Sequence, residues 1–138
     1  MCRATPVGTT CEADFHSLLG WEHERPEFLA VHHLTVLAYH LQHPHLYSPE
    51  GLVYAQRLLA DFLVGLTPTA ARARHGAGLD SGKRSWRVKG TNESHGIYAP
   101  RPEWTMAAAD VLTAGIDEYL ERAEQWARTV HTSLQRAK

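Results

Sequence analysis

The stretch His32-His33-Leu34-Thr35-Val36-Leu37-Ala38-Tyr39-His40-Leu41-Gln42-His43-Pro44 holds four of the ten histidines of this 138-residue chain. Imidazoles at that density can ligate a metal or carry protons near neutral pH. Spacing narrows the choice. Read as a helix, the stretch separates His32 from His43 by about 16 Å along its axis, too far for one ion. His40 and His43 are three residues apart and share a surface. His45 follows two residues later, so His40-x-x-His43-x-His45 is a possible nitrogen cluster.

These groups act only if other elements place partners beside them. Thr9-Thr10-Cys11-Glu12 has the form of a capping box, and Phe15, Leu18, Leu19 and Glu22 follow at helical spacing. A first helix from about Thr10 to His23 is expected. Pro26 opens a second, running to about Gln42, in which Ala30, Val31, Leu34, Leu37, Ala38 and Leu41 make one apolar face and His32, Val36, Tyr39 and His43 the opposite one. A tight turn near Arg25 makes the two helices antiparallel neighbours. Counting outward from it, Cys11 comes to the level of Tyr39 to His43, and Glu22 or Leu18 to the level of His32.

Two centres follow from that register. At the open end, Cys11, His43, His40 and Cys2 form a candidate tetrahedral set for a divalent ion, zinc above all. The alternative there is a Cys11 that is merely a small buried group, with helix-end histidines that cap carbonyls. Near the turn, Glu22 and His32 form a candidate acid/base pair; the alternative is a polar contact that fixes the hairpin register. Tyr39 lies between the centres, as a third proton-handling candidate or as a packed aromatic.

Ser48-Pro49 starts a third helix, to about Leu66, with Leu52, Ala55, Leu59, Phe62 and Leu63 as its core stripe. Thr67-Pro68 starts a short one that ends at Gly76. A loop over about 76–104 follows, longer than compact domains usually carry without a functional reason. It holds a basic aromatic patch, Lys83-Arg84 with Trp86, Arg87 and Lys89, that could grip an anion, and its aromatics argue that part of it packs. A helix from Thr105 to Ala114, interrupted by Gly115, and a strongly amphipathic one from Ile116, with Ile116, Tyr119, Leu120, Ala123, Trp126, Ala127, Val130 and Leu134 at 3-4 spacing, close the chain. The expected architecture is all-α: a small bundle of four main helices with a short helix and a long loop, as a single domain over 1–138.

With Lys+Arg 14 against Asp+Glu 15, there is no basic excess of the kind that marks nucleic-acid binders. No apolar run reaches the ~18 residues of a membrane span, and the first residues lack a signal-peptide core. A cytoplasmic protein is expected, and that compartment argues against a Cys2–Cys11 disulfide. No phosphate-binding, nucleophile-elbow or zincin motif occurs.

His32, Leu34, Thr35, Val36, Ala38, Tyr39, Gln42, His43 and Pro44 fit a pattern, His-x-Leu-Thr-Val-x-Ala-Tyr-x-x-Gln-His-Pro. By it the chain resembles a family of uncharacterised small bacterial proteins with a domain of unknown function. The likeness extends upstream through Cys11, Phe15, Leu18 and Glu22, and more loosely to Trp126-Ala127. It implies a Cys-x-x-Cys pair ahead of a third cysteine. Here Cys11 matches the third and only Cys2 precedes it, so a set of three thiolates with His43 lacks one ligand. The resemblance implies a location, not a reaction. Three functions follow from the residues: a helical metal-binding protein, metal-dependent in its chemistry if a coordination position is open; a non-catalytic module whose histidines form a satisfied polar core, binding a small molecule or a protein; or a metal-free acid/base enzyme using Glu22 and His32.

Overall fold

The computed structural model describes residues 9–75 and 96–138. Among these residues the fold is all-α. Six α-helices run in the order α1 (Thr9–Glu24), α2 (His32–Leu41), α3 (Pro49–Leu63), α4 (Pro68–His75), α5 (Ala108–Ala114) and α6 (Tyr119–Arg136), with 3₁₀ turns at Pro26–Val31, Pro44–Leu46 and Ile116–Glu118. No helix is long and apolar enough to cross a membrane among the described residues. The described residues form two compact units, 9–43 with 98–138 and 44–75 with 96–97.

The second unit is built on two caps read directly from sequence. Ser48 Oγ accepts the Gly51 N–H at 3.0 Å, with Pro49 in the first turn of α3. Thr67 Oγ1 accepts the Ala70 N–H at 3.1 Å at the start of α4. α3 stops at Leu63, three residues before the expected Leu66, because Gly65 takes φ +118 and turns the chain. Of the predicted stripe, Leu52, Ala55 and Leu59 are buried, while Phe62 and Leu63 are only partly covered.

The first unit holds α1, α2, α5 and α6. Here α2 packs along α6, and α1 lies against α5. The buried groups of α2 are Leu34, Thr35, Leu37, Ala38, Tyr39 and Leu41; those of α6 include Tyr119, Ala123, Trp126, Ala127, Val130 and Leu134. Leu120, expected in the α6 stripe, is 40% exposed, and Ser133 is buried instead, its hydroxyl donating to the Glu103 carbonyl at 2.7 Å.

The expected continuous helix from Pro26 to Gln42 is two elements. Pro26–Val31 winds as a 3₁₀ turn, and Val31, at φ −114 and ψ 10, breaks the geometry before α2 begins at His32. Ala30 is therefore exposed rather than part of the apolar face, while Phe28 is buried. The helix expected from Thr105 starts instead at Ala108, where the Asp110 carboxylate accepts the Ala107 N–H at 2.8 Å. Gly115, at φ +100, separates α5 from the turn into α6 as its sequence position suggested. Of the 76–104 loop, residues 76–95 and the basic patch lie outside the described residues; 96–104 is without helix. Within the first unit, the Tyr98 hydroxyl donates to the Leu41 carbonyl at 2.6 Å.

Gln42 gives the Gln-His-Pro motif a structural meaning. It is 1% exposed. Its Nε2 donates to the Met106 carbonyl at 2.7 Å and its Oε1 receives the Trp126 indole N–H at 3.4 Å. One side chain thus ties the end of α2 both to the lead-in of α5 and to α6. Gln42→Leu keeps the volume and strands both partners; urea unfolding should register a loss of about 2 kcal/mol or more. A loss under about 0.5 kcal/mol, the size of a surface change, would show that the amide is dispensable.

Candidate functional site

Two contacts fix how α1 meets α2. Phe15 stacks on Tyr39 with ring centroids 4.1 Å apart, and Glu22 Oε1 meets His32 Nδ1 at 2.6 Å. Each pair of residue numbers sums to 54, so one antiparallel register relates both ends of the hairpin, and it sets Cys11 level with His43. Of the two α1 residues expected at the level of His32, Glu22 and Leu18, it is Glu22 that makes the contact.

Glu22 is the unusual group. It is 3% exposed, yet carries an ionisable carboxyl. A buried carboxylate needs partners for both oxygens, and it has them. Oε1 takes the His32 Nδ1–H; Oε2 takes the Tyr119 hydroxyl at 2.5 Å. Tyr119, fully buried, has spent its proton on Glu22, so its oxygen accepts the Thr35 hydroxyl at 2.7 Å. Burial, then the bond to Glu22, raises the Tyr119 pKa far above the phenol range, with Thr35 opposing in part. Tyr119 therefore stays protonated and remains a donor. Thr35 sits one turn from His32 on α2, and Tyr119 is the first residue of α6.

The chain Thr35–Tyr119–Glu22–His32 runs from interior to surface. The His32 side chain is 48% exposed. Because Nδ1 is held by Glu22, the opposite ring nitrogen, Nε2, is the one that meets solvent chemistry. The hydrogen bond to Glu22 raises the His32 pKa above its usual value, against partial burial; the carboxylate charge adds to the rise. Neighbouring His33 moves down, through burial and then the His32 charge. A cavity of about 360 Å³ opens at this point, lined by Leu19, Glu22, His23, Pro26, Leu29 and His32. Leu29 is 56% exposed there. A larger depression of about 650 Å³ runs beside α6, but two of the three arginines lining it, Arg122 and Arg128, engage Gln125 and Glu124 on their own helix at 2.7 and 2.8 Å. Such exposed pairs are solvated and weak.

The remaining candidates gather at the other end. Tyr39 is buried between Phe15 and His43, whose ring lies 4.3 Å away, and does not join the Glu22–His32 pair. Burial, and secondarily the Glu12 charge, raises its pKa. His43 is 6% exposed, and its Nδ1–H donates to the Tyr39 carbonyl at 2.7 Å. That bond leaves Nε2 as its basic nitrogen, the tautomer a metal-ligating histidine usually has. His40 packs its ring near Phe15 and Tyr39. Cys11 is 1% exposed and disulfide-bonded, contrary to the expectation drawn from compartment, which geometry does not enforce. Cys2, the other cysteine, lies outside the described residues. Among the described residues no three His, Cys, Asp or Glu side chains converge as a metal site.

The sequence reading missed Thr35 and Tyr119. Thr35 had a signal: a hydroxyl three residues from His32 on the same helix shares its surface. Tyr119 lies 97 residues from Glu22 and reads as one apolar position among many.

The sequence pattern of a family of unknown function matches residues 1–135. No curated protein and no solved structure matches the chain.

The geometry makes a signed prediction for His32. In the unfolded chain it should titrate near pH 6.5, and in the fold above that value. The pair's stabilisation is thus fully present below about pH 6.5 and is lost as pH rises through the folded pKa. In Glu22→Gln the raising cause disappears and burial remains, so proton NMR should find His32 titrating below its usual value. A His32 that titrates alike in both proteins would contradict the coupling.

Proposed function

The chain belongs to that family of unknown function, DUF5946, and we propose that it is a small acid/base enzyme in which His32 moves a proton to or from a small molecule. The observation that carries this reading is the 2.6 Å contact between the buried Glu22 carboxylate and His32 Nδ1, at the edge of an opening with apolar walls. A carboxylate on one edge of an imidazole fixes ring orientation and tautomer and stabilises the protonated ring once Nε2 has taken a proton. Neutral His32 is then the base and its conjugate the acid, with the switch above the pH of an ordinary histidine. The same arrangement activates Nε2 as a nucleophile.

That activation can be read without the natural substrate. With 4-nitrophenyl acetate, Nε2 attacks the ester carbonyl, the C–O bond to 4-nitrophenolate breaks, and water then hydrolyses the acetylimidazole to acetate. The protein should release 4-nitrophenolate at least about a hundredfold faster than His32→Gln, the lower end of the range for positioned acid/base groups. Both rates are read where circular dichroism shows the proteins folded, because His32→Gln alters a partner of the buried Glu22 carboxylate and lowers stability. Equal rates in the two folded proteins would make the pair a structural tie and overturn the enzymatic reading.

A metal centre at the other end of the hairpin is a second reading, favoured by the register that sets Cys11 level with His43 and by the His43 tautomer. Its thiolate would come from the reduced protein. Zinc should then bind about one per chain after reduction and not before, with loss in His43→Ala. No uptake in either redox form would remove this reading.

A further inference from the structure

Resting on the acid/base reading of His32, we infer the class of molecule this site takes: a small, mostly apolar compound bearing one weakly acidic O–H, of which a monocyclic phenol is the simplest example. Three residues bring polar side chains to the opening: Glu22, His23 and His32. Both Glu22 oxygens are engaged, one by His32 and one by Tyr119. Nδ1 of His32 is engaged by Glu22. Of the two imidazoles, the Glu22 carboxylate fixes the ring of His32, so neutral His32 presents Nε2 as an oriented acceptor, and the complementary ligand brings a donor to it.

The walls set the rest of the molecule. Leu19, Pro26 and Leu29 are apolar, and Leu29 stands 56% exposed directly at the opening. Water gains nothing by covering that surface, and an apolar body does. About 360 Å³ accommodates one ring with short substituents, since a dry cavity of about 150 Å³ already holds benzene. The Glu22 carboxylate behind the imidazole disfavours a second negative charge at Nε2. No arginine is among the residues that line the opening; Arg25, next to Pro26 in sequence, pairs with Asp117 at 3.1 Å. Against the neutral His32 ring, an ionised carboxylic acid brings no donor and is therefore a poorer fit than a neutral O–H.

Three probes of matched shape separate the contributions: 4-ethylphenol, its methyl ether 4-ethylanisole, and 4-ethylbenzoate, each titrated into the full chain at a pH above the His32 titration, where the ring is neutral and Nε2 is an acceptor. Binding is followed by NMR shifts of the His32 ring and the Leu29 methyl groups. 4-Ethylphenol should bind about tenfold tighter than the ether, the worth of one hydrogen bond, and tighter than the benzoate. The preference over the ether should vanish in His32→Gln. If phenol and ether bind alike while His32 retains its reactivity toward 4-nitrophenyl acetate, the ligand class is wrong and the acid/base reading stands. If the benzoate binds best, the site takes anions and the proposal fails. If none of the three moves the His32 or Leu29 signals, the opening is not a ligand site and the proposal fails with it.

Discussion

A carboxylate with almost no access to water sits where three helices of the first unit meet, and the rest of that unit is arranged to satisfy it. Left alone, Glu22 would be expensive to bury. It is tolerable because α2 supplies an imidazole, α6 supplies a phenol, and a threonine on α2 supplies the phenol with its own donor. Each partner constrains the others: Tyr119 holds one oxygen, so only the other is left to orient His32, and the orientation of His32 decides which ring nitrogen faces outward. The site's chemistry is a consequence of how the buried charge is hydrogen-bonded.

Those contacts also specify how the helices meet. The Glu22–His32 and Phe15–Tyr39 pairs share a register, one polar and one aromatic. Gln42 joins the end of α2 to Met106 and Trp126. Buried polar groups of this kind are costly when mispaired, so alternative alignments of α1, α2 and α6 would each strand a charge or an amide. The motif from His32 to Pro44 thus contributes at both ends of α2, through His32 and Thr35 at one and through Gln42 and His43 at the other.

Much of this was legible from the sequence because it is local. Caps at Ser48 and Thr67, the break at Gly115 and the 3.6-residue stripe of α6 depend on neighbours within a turn or two, and they stand as read. The α1–α2 register was legible because a short connection fixes it. Three things were not. The 3₁₀ winding of Pro26–Val31 differs from a helix by small changes in backbone angles that apolar spacing does not report. Leu120 and Ser133 exchanged roles because a stripe on a helix says which face is buried, not how far the cover extends. Thr35 and Tyr119 joined the site because tertiary packing places a phenol beside a carboxylate 97 residues away, and no pattern along the chain encodes that meeting.

The direction of the Glu22–His32 hydrogen bond is the claim on which the site depends, and the protonation state of the two ring nitrogens reports it directly. Nitrogen-15 spectra of the His32 ring, recorded at a pH high enough for the ring to be neutral, should show the proton on Nδ1 and a bare Nε2, the reverse of the tautomer a free histidine prefers. A proton resident on Nε2 under those conditions would mean that Glu22 does not hold the ring, and the proposed base would have no lone pair to offer.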